Sequence, residues 1–260
     1  MEYRKLGTTG IQVSFLGFGA GHIGSPVMSE DAAGTLLNRA LDRGVNFIDT
    51  ARGYGLSEER IGRHLSWRRK DFFLSTKGGY GVEGVQDWTY AAVVTGAEQA
   101  LQRLQTDHMD VYLLHSCPKD VFIREDIRQA LHDLKKRGLA LHTGYSGEND
   151  DLDAALGLPE IEVIETSINL TDQGNLKQRL VRAAHKGVGV IAKRPLANAF
   201  WRFSEAPVGN YAHDYWVRWA QMMALVPALA DLKSSISMDE FAFFFVLASS
   251  EISTAIVGTG

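Results

Sequence analysis

Apolar residues recur along this chain in two rhythms. Short runs that are apolar almost throughout, such as 45–48, 110–114 and 188–191, read as strands buried on both faces. Between them, apolar residues fall three and four apart. Ala33, Leu36, Leu37, Ala40 and Leu41 share one helical face, and Val93, Val94, Ala97, Ala100, Leu101 and Leu104 share another. The second set predicts a helix over 90–104, and a third helical pattern covers 123–136. Ser29-Glu30-Asp31 reads as the start of the first helix, and Ser57-Glu58-Glu59 as another start with Ser57 as N-cap.

The junctions between rhythms repeat. Arg43-Gly44 runs into Val45, Arg137-Gly138 into Leu139, and Lys186-Gly187 into Val188. In each, a basic residue complements the dipole of the last helical turn and a glycine supplies the left-handed cap. A strand that starts at once after such a cap is the mark of a helix feeding a parallel strand. Strands are predicted at 15–19, 45–48, 72–75, 110–114, 139–141, 162–167, 188–191 and 254–257. Eight of them alternating with helices predict one closed (β/α)₈ barrel across 1–260. Residues 3–6 and 11–13 flank Gly7-Thr8-Thr9-Gly10 and predict a hairpin covering the barrel bottom. An open sheet is disfavoured, because Gly17-Phe18-Gly19-Ala20-Gly21-His22 only approximates a dinucleotide-binding glycine pattern. The irregular stretch 199–215 reads as a long loop reaching over the mouth.

Composition narrows the function. The net charge of −4 argues against nucleic acid, and the run Phe241 to Ala248 is too short to span a membrane. The start of the chain carries charges where a signal peptide would need an apolar core, so the expectation is a cytoplasmic protein. The single cysteine, Cys117, excludes a disulfide framework and a multi-cysteine metal site, and reads as a small buried hydrophobe.

Side chains just past the strand ends share one rim of such a barrel. Asp49 and Tyr54 follow the second strand, Lys77 the third and His115 the fourth; Ser146, Asn169 and the pair Lys193-Arg194 follow the next three. A phenol with a pKa near 10 is a poor proton donor at neutral pH, and a neighbouring ammonium held by a carboxylate lowers that pKa. Asp, Tyr, Lys and His together suit protonation of a developing alkoxide. Tyr54 is therefore expected to be acidified by Lys77.

The ordered motifs resemble the aldo-keto reductases. They are Asp49-Thr50-Ala51 with Tyr54-Gly55 and Ser57-Glu58, Ser75-Thr76-Lys77, the run Leu101 to His115, Gly144-Tyr145-Ser146, Asn169-Leu170 and Ile256-Val257-Gly258-Thr259. The resemblance implies Tyr54 as proton donor, Lys77 as its partner, Asp49 as the lysine's anchor and His115 as the substrate orienter. It implies an extended NADPH, or NADH, held by Ser146, Glu165, Asn169, Lys193, Arg194, Pro195, Leu196 and Gly258. Trp201 is placed in the substrate pocket, while His22 either lines that pocket or lies on a loop surface. No metal is implied. Two positions depart from the pattern: Glu165 stands where a glutamine is common, and Lys193 where an aromatic ring is common. These two are expected to form an ion pair on the rim, the alternative being a solvated Lys193 that points at a cofactor phosphate.

The first functional reading is NADPH-dependent reduction of a small-molecule aldehyde or ketone. Its alternatives are a nicotinamide-sensing regulatory subunit with little turnover, and a barrel lyase using a Schiff base on Lys77. Because no helix follows the eighth strand, a further helix gripping the adenosine end of the cofactor is expected in the complete protein.

Overall fold

The computed structural model describes residues 1–226, 229 and 236–258. Strands β1 (Tyr3–Lys5) and β2 (Gln12–Ser14) form the antiparallel hairpin. The barrel strands are β3 (Leu16–Gly19), β4 (Phe47–Asp49), β5 (Phe73–Gly78), β6 (Met109–His115), β7 (Ala140–Ser146), β8 (Val163–Ser167), β9 (Gly189–Lys193) and β10 (Thr254–Val257). They close in the order β10-β3-β4-β5-β6-β7-β8-β9, and the pairings are parallel.

The helices between them are α1 (Glu30–Asp42), α2 (Ser57–Leu65), α3 (Tyr90–Leu104), α4 (Lys119–Phe122), α5 (Glu125–Lys136), α6 (Asn149–Ala155), α7 (Arg179–His185), α8 (His213–Leu225) and α9 (Met238–Leu247). Gly44, Gly138 and Gly187 take φ of +87°, +70° and +72°, the left-handed geometry predicted for the helix-to-strand joints. Ser29 caps α1 by accepting a hydrogen bond from the Ala32 amide. Thr259 lies outside the described residues.

The hairpin closes the bottom of the barrel. Leu6, Ile11 and Val13 pack with Phe47, Val111, Leu113, Val163 and Ile191 in one buried apolar cluster. The turn is held by the Thr8 amide donating to the Gly187 carbonyl at 2.8 Å. Gly7 has φ +55°, and a Cβ there would lie 2.3 Å from that carbonyl, so a side chain does not fit.

Two local expectations need correcting. Ser57 does not cap α2; Leu56 occupies that place, without a side-chain cap. The Ser57 hydroxyl instead donates to the Ala20 carbonyl and lies 2.7 Å from the Thr50 hydroxyl, tying the loops after β3 and β4 together. The expected helix over 123–136 starts at Glu125, because Pro118 opens a separate short turn of helix before it. Cys117 is fully buried, and burial pushes its thiol up to about 12. Among the described residues, no helix is long and apolar enough to cross a membrane.

Candidate active site

The upper ends of β4, β5, β6 and β8 deliver Asp49, Lys77, His115 and Glu165 into one space. Asp49, Lys77 and Glu165 are each about 1% exposed. The Lys77 ammonium donates to Asp49 Oδ2 at 2.5 Å and to the Thr50 carbonyl at 2.9 Å. Ser75, two residues earlier on the same strand, donates to the other Asp49 oxygen at 2.9 Å. Lys77 also lies 3.2 Å from Glu165 Oε2, a contact between charges without hydrogen-bond alignment, so that Oε2 has no hydrogen-bond partner.

Tyr54 stands over this cluster on the loop after β4, half-buried, with Lys77 Nζ 5.2 Å from its ring centroid. The His115 ring meets it edge-on at 5.7 Å. His115 Nδ1 lies 3.0 Å from the hydroxyl of Tyr80, a second phenol at the mouth that the sequence reading did not single out. Its signal was there: like Tyr54, Tyr80 is flanked by glycines just past a strand end.

Burial and the charge of Lys77 push His115 down to about 4, so the imidazole is neutral at physiological pH. Asp49 is pushed up to about 7, by burial first and then by the charge of Glu165, against the pull of Lys77. Burial opposes ionisation of Glu165 too, yet Lys77 and Lys193 outweigh it and hold this carboxyl below its usual range.

The expected acidification of Tyr54 needs correction. Lys77 exerts the largest single influence on the phenol and does pull its pKa down. Burial, Glu165, Asp49 and Tyr80 together win, and Tyr54 is pushed up to about 12. The lysine's charge is already matched by two carboxylates. The Schiff-base reading loses support as well: burial pulls the Lys77 ammonium down, but Asp49 and Glu165 outweigh it and favour the charged form over a free amine.

The expected Glu165–Lys193 ion pair is also not formed. The β8–β9 register puts Glu165 opposite Ile191 and Lys193 opposite Ser167, one inward-facing layer higher. Lys193 pairs instead with Glu148 at 3.3 Å, a residue the sequence reading missed, which also accepts from Ser167 and Thr166. The two departures still communicate through Ser146, whose hydroxyl donates to Glu165 at 3.3 Å and accepts from Lys193 at 3.4 Å.

The other rim residues divide. Asn169 is fully buried, donating to the Arg194 carbonyl and accepting from the amide and hydroxyl of Thr171. Arg194 is exposed, has φ +55° and donates to the Ser167 hydroxyl at 3.2 Å. Pro195 is buried and Leu196 half-buried. His22 is exposed on a 3-10 turn beside Gly258, whose Cβ, if present, would sit 2.9 Å from the imidazole Nδ1. Trp201 packs edge-on against Phe200 at 5.1 Å, in an apolar cluster with Leu170, Tyr215 and Trp219. It does not line the cavity of about 550 Å³ that opens beside Glu148, Ser167, Arg194, Tyr211 and Tyr215. Among the described residues, no cluster of His, Cys, Asp and Glu suited to a metal ion exists.

Comparison with known proteins agrees with this geometry. The chain is 32% identical to the L-galactose dehydrogenase of Arabidopsis thaliana over 276 residues, covering 99% of this chain and 84% of that one. It superposes on an aldo-keto reductase of Bacillus halodurans in its holo form with a TM-score of 0.82 and 28% identity, covering 100% of this chain and 86% of that one. A probable voltage-gated potassium channel subunit beta of Arabidopsis thaliana is 35% identical over 153 residues, 56% of this chain and 46% of that one. That shorter match gives the regulatory-subunit reading less support than the dehydrogenase match gives the enzyme. With residues 15–260 matching the Aldo/keto reductase family, the chain belongs to that family and is an NAD(P)H-dependent oxidoreductase.

Proposed function

We propose that this chain reduces an aldehyde or ketone to the alcohol with NADPH, Tyr54 giving the proton and His115 orienting the carbonyl. The observation that carries the reading is the convergence of the Tyr54 phenol, the buried Lys77 ammonium and the neutral His115 imidazole at the barrel mouth. The tautomer with its proton on Nε2 accepts the Tyr80 hydroxyl at Nδ1 and leaves the Nε2–H for a carbonyl oxygen. A Tyr54 that keeps its proton well above neutral pH is the form a reduction needs.

The residues fit a nicotinamide nucleotide. Gly21 and Gly258 leave exposed backbone at the rim, and Glu165 Oε2, which contacts Lys77 but accepts no hydrogen bond, suits the N–H of a carboxamide. Ser146 lies beside it, and Lys193 and Arg194 supply positive charge one layer above. When bound, the cofactor supplies hydride to the carbonyl carbon. The protein's part is to hold the carbonyl at His115, to pass the Tyr54 proton to the developing alkoxide, and to steady the resulting phenolate with Lys77.

Replacing Tyr54 by Phe keeps the ring and removes the proton. NADPH oxidation with a panel of aldehydes should then fall by roughly 10² or more, the scale of general acid catalysis, while cofactor binding followed by fluorescence is kept. Near-normal turnover in Y54F overturns the assignment, and the same assay run with NADH settles the cofactor.

A further inference from the structure

We propose that Glu165 is a second counter-ion of Lys77 that withholds the lysine's field from Tyr54, and so sets the pH at which Tyr54 gives up its proton. The inference rests on the reading of Tyr54 as the proton donor, and makes Glu165 a positioning residue that acts through Lys77.

The geometry is unusual for an ion pair. Lys77 enters from β5 and Glu165 from β8, so their 3.2 Å contact crosses the barrel interior between strands that are not neighbours. Asp49 alone already matches the lysine, at 2.5 Å. Adding Glu165 gives a buried group of two carboxylates and one ammonium, with excess negative charge once Asp49 has ionised above about 7. Burying a surplus carboxylate is costly unless hydrogen bonds and countercharge offset it. Here Ser146 donates to Glu165, and Lys193 stands on the far side of Ser146 with Glu148 as its own partner. In the alkaline range where Tyr54 ionises, the surplus is thus supported from the rim.

The charged and titratable groups facing Tyr54 come from every element around it. They are Lys77 on β5, Asp49 on β4, Glu165 on β8, Tyr80 on the loop after β5, His115 on β6 and Arg194 after β9. His115 is neutral, and Arg194 is exposed, where solvent screens it. The balance on the phenol is therefore between Lys77 on one side and burial with the two carboxylates on the other, and of these only the carboxylates carry charge that a substitution can remove. Asp49 is fixed by Ser75 and needed to seat the lysine. Glu165 is the carboxylate whose charge is separable from that seating. A glutamine of the same shape keeps an oxygen to accept from Ser146 and drops only the charge.

The test titrates tyrosine ionisation in the full chain without cofactor, by phenolate absorbance near 295 nm, with Y54F subtracted to isolate Tyr54. In wild type the Tyr54 component should ionise above the ordinary phenol value of 10.0. In E165Q it should move down by about one pH unit or more, the scale of an unmasked charge at contact range, and in E165D it should stay near wild type. The alkaline limb of the pH–rate profile for carbonyl reduction should shift with it. A Tyr54 component in E165Q that coincides with wild type overturns the proposal. So does a wild-type Tyr54 that titrates at or below 10.0, a result that needs only the conservative Y54F reference and no change at Glu165. The titration requires no turnover, so a chain that reduces no carbonyl but shifts as stated sinks the functional reading and leaves this one standing.

Discussion

Two ends of one barrel are built from the same strands and have opposite chemistry. On β4 the inward positions run Phe47 then Asp49; on β6, Val111 and Leu113 then His115; on β8, Val163 then Glu165; on β9, Ile191 then Lys193. Phe47 and Asp49 are 0% and 1% exposed, Val163 and Glu165 likewise, so burial does not distinguish the ends. At the bottom, apolar surface removed from water stabilises the fold, at roughly 25 cal/mol per Å². At the top, the same degree of burial makes each charge costly, and the charges are held only by one another. The bottom can therefore be altered at the expense of stability alone. Altering the top changes the protonation of its neighbours. This division matches the general arrangement of such barrels, with chemistry at the C-terminal strand ends.

The largest effect that separates the ends should come from Lys77→Met. It leaves two buried carboxylates without their ammonium and should cost about 3–5 kcal/mol at pH 8, measured by denaturant unfolding. At pH 6 the loss should be smaller, since Asp49, already held up at about 7, takes a proton. A loss independent of pH would show that the lysine only fills space.

Next in size, Leu6→Ala in the hairpin plug should cost about 2–5 kcal/mol, as for other buried leucines, while kcat per folded molecule stays at the wild-type value. A changed kcat would break the division between the ends.

The smallest effect is in the acid dependence of Tm, where two groups at the top oppose each other. His115 falls from 6.5 to about 4 on folding, so the unfolded chain binds more protons between those values, and stability is lost as pH drops through them. Asp49 rises from 3.8 to about 7, so the folded chain binds more protons there and gains stability as pH drops. Calorimetry between pH 6.5 and 4.5 should therefore find H115Q less acid-sensitive than wild type and D49N more so. Parallel curves for all three proteins would refute both protonation states.

The sequence by itself determined the barrel, because its marks are local. A glycine that must take positive φ after a basic helical turn, and a strand apolar on both faces, are each legible within a few residues, as at Gly44, Gly138 and Gly187. The rim placement of Asp49, Lys77 and His115 follows from strand ends alone. Which rim groups pair was decided by the tertiary structure. Glu165 meets Lys77 across the interior, and Lys193 misses Glu165 by one layer, because barrel closure and inter-strand register relate strands far apart in sequence. Ser57 shows the same limit at shorter range: its spacing suits a cap, but the neighbouring loops claim its hydroxyl. The state of Tyr54 lay furthest out of reach, since the sum of charges on a buried phenol depends on every strand that ends near it.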